Sequence, residues 1–192
     1  MSSFTRKITP EMRDPTFESS LRKRLGEKGE RIPLCFQCGV CSGSCPVAFA
    51  MDYTPRQIME LIKLGVKDLV LNSSMIWLCA ACYSCSVRCP QGVDLKQVMD
   101  TLKEMALEDP KYSRAEKAFY EKFIEVVRKN GRMDEVALYV KLMPKSAVMR
   151  NLSFGLKLYK KGKIKLSPAK SNGIEQIAKI FEKVLAREEQ KQ

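Results

Sequence analysis

The chain has 192 residues, 29% of them charged, with a formal charge of +12, eight cysteines and no histidine. That length allows one or two modest domains able to bury about 70% of their unfolded surface, so the protein does not need metal merely for want of a core. The missing histidine removes the commonest general base and metal ligand, and the sequence holds no Gly-x-Gly-x-x-Gly fingerprint and no Walker loop.

In chain order, residues 1–30 read as an N-terminal extension. Asp14-Pro15 is a turn, and a helix is predicted from Thr16 to about Gly26 with Leu21 and Leu25 on its inner face. A first cysteine run follows, Cys35-x2-Cys38-x2-Cys41-x3-Cys45-Pro46. Thr54 then caps a helix with Pro55 at its first position; Ile58, Met59, Leu61 and Ile62 form the apolar face, ending at Gly65. A short helix is expected over 67–71, and Ser74 is expected to cap a turn carrying Met75, Ile76, Trp77 and Leu78 into the second run. That run is Cys79-x2-Cys82-x2-Cys85-x3-Cys89-Pro90. Trp77, the only tryptophan, is read as a core aromatic whose shielding of the cysteines is a by-product.

Beyond Pro90, Asp94 caps a helix predicted to run to about Glu108, with Leu95, Val98, Met99, Leu102, Met105 and Ala106 on one side. Ser113-x-x-Glu116 is a capping box opening a helix that carries Phe119, Phe123, Ile124 and Val127 to Asn130-Gly131. Further helices are expected over 134–142 and 146–160, with a last one opened by Asn172 and Glu175 and carrying Ile177, Phe181, Val184 and Leu185. Lysines crowd the segment around Tyr159 and Gly162, at 157, 160, 161, 163 and 165. They form either a docking site for an acidic partner or a helix end favoured by its dipole. The stretch Ile164-Lys165-Leu166-Ser167-Pro168 is expected to form an arm lying on another subunit. The fold class is therefore mostly α, with a dicluster ferredoxin-type domain over 31–108 and a helical region for packing and subunit docking over 109–192.

All eight cysteines sit in the two runs, 44 positions apart. Thiolates three residues apart on a tight loop grip three corners of an iron–sulfur cube, and the fourth cysteine of such a run reaches the cluster of the other run. The pattern predicts two [4Fe–4S] clusters, ligated crosswise. Cys35, Cys38, Cys41 and Cys89 hold one, and Cys79, Cys82, Cys85 and Cys45 hold the other. Structural zinc would use Cys-x2-Cys pairs but leaves the third cysteine and the Cys-Pro without a role. A disulfide framework suits a secreted chain, whereas the opening Met1-Ser2-Ser3-Phe4-Thr5-Arg6-Lys7 lacks the apolar stretch of a signal peptide. A [3Fe–4S] variant would show a missing ligand, and neither run does.

Gly39, Ser42, Gly43 and Ser44 make the first loop small, letting backbone amides approach the cluster, while Tyr83, Val87 and Arg88 make the second bulkier. Two different reduction potentials are expected. Two oxidised clusters with their thiolates bring the net charge to about +8, a field that suits nucleic acid or an acidic partner. No stretch approaches the roughly 20 apolar residues of a membrane span, and reduced cysteines suit an anaerobic cytoplasm. With every cysteine assigned, no thiol remains as nucleophile, so the chain is expected to conduct electrons and not to catalyse.

The residues from Leu34-Cys35-Phe36-Gln37-Cys38-Gly39-Val40-Cys41 to Cys45-Pro46, with Trp77-Leu78-Cys79-Ala80-Ala81-Cys82-Tyr83-Ser84-Cys85 to Cys89-Pro90-Gln91-Gly92-Val93-Asp94, resemble the C subunit of heterodisulfide reductase. The N-terminal extension and the basic helical part with Gly162-Lys163-Ile164-Lys165-Leu166 look similar as well. The resemblance implies a cytoplasmic complex of methanogenic archaea or related anaerobes. In it a flavin-containing subunit bifurcates electrons from a hydrogenase or formate dehydrogenase. The iron–sulfur subunit that this chain resembles passes one branch to a disulfide-reducing subunit, which reduces the mixed disulfide of coenzyme M and coenzyme B. The adjacent Cys-Cys of the disulfide-reducing subunit is absent, so this chain is not expected to reduce the heterodisulfide alone.

The alternatives are a homologous wire in a sulfur-metabolising complex or one resembling succinate or fumarate reductase, a freely diffusing ferredoxin, and a basic iron–sulfur protein that binds nucleic acid. The 34 residues before Cys35 are too few for the plant-type [2Fe–2S] domain of the fumarate reductase type. No recognition motif supports nucleic acid, and a small carrier needs no long helical extension.

Overall fold

The structure is a computed structural model that describes residues 8–112, 114–164 and 171–189. Every regular element among the described residues is helical. The chain divides into two compact units, Met1–Arg114 and Ala115–Gln192.

In the first unit, Asp14 accepts hydrogen bonds from the Thr16 amide at 2.9 Å and the Thr16 hydroxyl at 2.6 Å, closing the turn that starts α1 (Phe17–Leu25). Phe17, Leu21 and Leu25 recur at helical spacing and are buried. Gly26, at φ +59°, ends the helix, and the chain doubles back through a 3-10 stretch, Gly26–Leu34. Gly29 makes this possible, because a Cβ there would sit 2.4 Å from the carbonyl oxygen of Arg22. This return delivers Cys35 to the first run, whose only regular element is the short α2 (Val40–Gly43).

Pro55 opens α3 (Pro55–Lys63), and Gln57 Oε1 accepts from the Thr54 amide at 2.8 Å. Ile58, Met59, Leu61 and Ile62 are all buried, as their spacing predicts. At Gly65 (φ +72°) a Cβ would lie 2.6 Å from the Asp14 carbonyl oxygen, and the Asp14 amide donates to the Gly65 carbonyl at 2.8 Å. The extension is thereby tied to the end of α3 and shares one core with it.

After α4 (Lys67–Leu71), the cap of α5 (Ser74–Leu78) is Ser73, one residue before the expected Ser74. Ser73 Oγ accepts from the Met75 amide at 3.1 Å, while the Asp52 carboxylate accepts from the Ser73 hydroxyl and the Ser74 and Met75 amides at 2.7, 2.9 and 3.0 Å. Two adjacent serines leave the register open, and a carboxylate 21 residues upstream decides it. Trp77 packs half-buried against the core.

The second run carries α6 (Ser84–Val87), which lies against α2. Asp94 then caps α7 (Leu95–Glu108) by accepting from the Gln97 amide, and all six apolar residues of the predicted face are buried. Arg24 grips Glu108 with two 2.7 Å bonds, fastening α1 to the end of α7. The pair is half exposed, so it contributes at most about 1 kcal/mol.

In the second unit the expected capping residue Ser113 lies outside the described residues. Helix α8 (Arg114–Asn130) does not bury its predicted stripe. Phe119 and Ile124 are exposed, and Val126 and Asn130 are the buried positions. What covers the helix is its own C-terminal surroundings: the Ser171 amide donates to the Asn130 carbonyl, and Ile174 sits on Gly131. Asp134 caps α9 (Glu135–Leu142) through the Ala137 amide at 2.8 Å. The single helix expected over 146–160 is two, α10 (Lys145–Arg150) and α11 (Leu152–Lys160), broken at Asn151, whose side-chain amide donates to the Tyr139 hydroxyl at 2.8 Å. The last helix is α12 (Ile174–Glu189). The expected arm lies at 165–168, outside the described residues, apart from Ile164.

Candidate metal centre

The two cysteine runs fold as an internal repeat at the same 44-residue offset. Gln37 and Gly39 in the first run, and Ala81 and Tyr83 in the second, all take left-handed backbone, with φ of 61°, 83°, 51° and 61°. Two left-handed residues per loop curl the chain so that its thiols converge. Only Gly39 adopts this conformation without steric cost, so the other three positions hold strain of about 1 kcal/mol or more each. Gly43, also expected to help the turn, has ordinary helical backbone.

Each short helix is then pinned to the N-terminus of the long helix that follows it. Ser42 Oγ accepts from the Arg56 amide at 2.9 Å, and Ser86 Oγ accepts from the Lys96 amide at 3.0 Å. Arg56 and Lys96 hold the same position in α3 and α7, two residues after the capping Thr54 and Asp94, and Met59 and Met99 match five residues after them. Both helices therefore point their positive dipole ends at the cysteine loops.

Two cavities lie among these residues. The first is lined by Cys35, Cys38, Cys41 and Cys89, with Arg56 and Met59, around about 310 Å³ of atom-free space partly open to solvent. The second is lined by Cys45, Cys79, Cys82 and Cys85, with Lys96 and Met99, around about 420 Å³. Each brings together three cysteines of one run and the last cysteine of the other. Leu95 lines both, so the cavities are neighbours across one side chain. Trp77 lines neither.

The thiols suit a metal cluster and not a single ion. Each cavity brings four cysteines together from both runs, so the third cysteine and the Cys-Pro that a zinc site would leave idle both have a place. Cys38 and Cys82 are exposed and the other six are half-buried. Burial pushes the Cys85 thiol up to about 11, with the Ser86 hydroxyl opposing and Cys79 adding to the rise. Cys41 is raised chiefly by the same cause, whereas the Ser84 hydroxyl beside Cys82 lowers it. Buried thiols that resist ionisation by themselves are ionised by bound iron, which couples cluster insertion to the fold. Amide donors also reach the sulfurs, from Gln37 Nε2 to Cys35 Sγ at 3.5 Å and from the Val93 backbone to Cys89 Sγ at 3.4 Å.

Gln37, Arg56, Lys96 and the two methionines were not legible as site residues in the sequence. The one available signal was their equal spacing from the two capping residues.

Residues 32–93 match the family described as the 4Fe-4S dicluster domain. Over that stretch the chain is thus of the two-cluster iron–sulfur class, and with eight cysteines in two quartets about two cavities it carries two [4Fe–4S] clusters.

Its relatives narrow the class. The chain is 35% identical over 94 residues to the C subunit of the H(2):CoB-CoM heterodisulfide,ferredoxin reductase of Methanothermobacter thermautotrophicus, a match covering 46% of this chain and 51% of the relative. It is 35% identical over 96 residues to the iron-sulfur C subunit of the CoB--CoM heterodisulfide reductase of Methanopyrus kandleri, covering 50% and 46%. It is 41% identical over 92 residues to the C subunit of the ferredoxin:CoB-CoM heterodisulfide reductase of Methanosarcina acetivorans, covering 48% and 35%. The chain thus spans about half the length, or less, of the curated relatives it matches, and over that stretch it is a homologue of the C subunit of heterodisulfide reductase. No described helix is long and apolar enough to cross a membrane.

Proposed function

We propose that this chain is the electron-transfer subunit of a cytoplasmic heterodisulfide reductase complex. It would take electrons one at a time from a flavin-containing subunit that bifurcates electrons from a hydrogenase or formate dehydrogenase. It would deliver them to the disulfide-reducing subunit, where the disulfide between coenzymes M and B accepts two electrons and two protons. The observation that carries this reading is the pair of cysteine quartets whose neighbouring cavities share Leu95 in their linings, an adjacency suited to exchange between two centres. Each cluster supplies one-electron redox chemistry at a fixed position. The chain's own residues hold the centres, place helix N-termini against them and keep Met59 and Met99 on their inner sides. No step of bond making falls to this chain, which has no histidine and no cysteine outside the quartets. The subunit is therefore non-catalytic by itself.

The ligand sets in this reading are Cys35, Cys38, Cys41 and Cys89 for one cluster and Cys79, Cys82, Cys85 and Cys45 for the other. Paired substitutions test them by iron content. With crosswise ligation C35S/C89S removes one cluster and leaves about four irons, while C35S/C45S damages both. Ligation within each run predicts the reverse.

Partner docking is supported by the second unit. Between Glu135 and Glu175 the chain carries nine Lys and Arg and no Asp or Glu. Met149, Leu152, Phe154, Leu156 and Tyr159 are exposed in the same stretch. An acidic, partly apolar protein surface complements this face. Native purification should recover the chain with a flavoprotein and a subunit rich in Cys-Cys motifs. Recovery as an iron-replete monomer, or with partners from a different reductase, would instead favour the free ferredoxin or the homologous wire. Reversing Lys160, Lys161 and Lys163 to Glu should weaken assembly by about tenfold at low salt and leave iron content unchanged.

A further inference from the structure

We infer that the centre held by Cys35, Cys38, Cys41 and Cys89 has the higher reduction potential of the two, and that Arg31, Arg56 and Lys63 on its side, against Asp52 and Asp100 on the other, set this order. The inference rests on the crosswise ligation proposed above.

The internal repeat makes the comparison sharp, because most determinants of potential are matched and cancel. Each cavity has one exposed and three half-buried cysteines. Each has two left-handed loop residues, a serine pinned to a helix N-terminus, and a methionine from the fifth helical position. Solvent access and helix dipoles therefore do not separate the two centres. Charge and hydrogen bonding do.

Around the first cavity three cations stand without a carboxylate. Arg56 lines the cavity. The Lys63 ammonium donates to the Cys35 carbonyl at 3.1 Å, and the Arg31 guanidinium donates to the Gln91 carbonyl at 3.1 Å, pressed against the loop that follows Cys89. None of the three takes part in an ion pair among the described residues.

The second cavity has the opposite balance. Its one lining cation, Lys96, lies over the Tyr83 ring and is paired with Asp100 on the next turn. Asp94, which bonds Ser86, is paired with Lys28. Asp52 adjoins Met51 and bonds the Met75 amide, and both methionines line the cavity. Among the described residues its carboxylate has only the uncharged donors of Tyr53, Ser73, Ser74 and Met75. Burial pushes Asp52 up, yet the Ser73 and Ser74 bonds outweigh it and hold the group below the usual Asp range, so it is anionic at neutral pH.

Reduction adds one negative charge to a centre. Unpaired cations stabilise that charge and an unpaired carboxylate opposes it; Arg31, Arg56, Lys63 and Asp52 are all exposed, so solvent screens the size of the effect and leaves its sign. Hydrogen bonding acts in the same direction. The first quartet receives N–H donors from Gln37 and Val93, whereas among the described residues the second has only the hydroxyl contact between Cys82 and Ser84. Donors to the sulfurs also favour the reduced form. An electron shared between the two centres therefore rests on the first.

The test is a redox titration of the full chain, purified without oxygen and followed by electron paramagnetic resonance, with iron measured on the same samples. The wild type should show two midpoints, and the cluster surviving in C35S/C89S should titrate at the lower. R56Q, at an exposed position, should move the upper midpoint down and leave the lower in place. D100N, which releases Lys96, should move the lower midpoint up, and D52N, which keeps an acceptor oxygen for the α5 cap, should do the same. A single shared midpoint, a shift of the lower midpoint in R56Q, or no shift in any variant overturns the order. Failure of the paired-cysteine iron pattern overturns the ligation, and the order with it. Intact iron with reversed midpoints overturns the order alone.

Discussion

The two units of this chain use similar helices to opposite ends. Residues 1–114 bury 22 side chains in one core, from Phe17 through Ala106, whereas among the described residues of 115–192 the only buried apolar side chains are Val126 and Leu138. Charge divides the same way. The first unit has 16 basic and 13 acidic residues and the second 18 and 9, so one chain carries +3 in its first unit and +9 in its second. A unit that holds clusters must fix eight thiols to within fractions of an ångström, and dense packing provides that rigidity. The second unit instead leaves apolar side chains, Met149 at 67% and Phe154 at 62% exposure, open to solvent in a lysine-rich stretch, the feature on which the proposed docking rests.

Iron removal should separate the two most strongly. In the chelated protein, hydrogen exchange should accelerate across 32–93, where metal binding and folding are coupled, while amides of α9 to α12 keep their wild-type rates. Equal acceleration in both units would break the division.

Core truncations come next. L21A should destabilise the first unit by about 2–5 kcal/mol in denaturant melts, and L152A, at an exposed position of the second, by less than about 0.5 kcal/mol. Glycine substitutions should differ in sign. G65A forces a Cβ against the Asp14 carbonyl at positive φ and should cost about 1–3 kcal/mol. G155A meets open space inside α11 and should stabilise by about 0.5–1 kcal/mol.

The smallest effect is titration of Asp52. Its folded pKa is depressed, so its contribution is present above the ordinary Asp value near 4 and is lost as pH falls through the lower folded value. The stability difference between wild type and D52N should therefore shrink as pH drops below about 4. A difference that holds constant there would mean that the Asp52 hydrogen bonds, and not its charge, support α5.

Legibility in the sequence follows the same division. In α7 the Asp94 cap and six apolar residues at helical spacing all point to one buried face, and that face is the one buried. In α8 an equally clear stripe stays largely uncovered, with Phe119 and Ile124 exposed and Phe123 and Val127 half-buried. Periodicity reports which face is apolar and not whether anything in the unit covers it, and here Val126 and Asn130 are the covered positions. The break at Asn151 depends on a hydroxyl 12 residues away, and the Ser73 cap on a carboxylate 21 residues away. No local propensity encodes either.

For the centres, the sequence by itself determined the class of cofactor and the helical frame. Ligand spacing within a loop is a property of a few consecutive residues, and so are caps and apolar periods. Only the tertiary structure decided which side chains surround each cavity. Arg56 and Lys96 are brought there by Ser42 and Ser86, 14 and 10 residues upstream, and Asp52 is held by the turn before Cys79. Electrostatic surroundings come from segments that meet through folding, and charge acts through space without regard to the order of the chain.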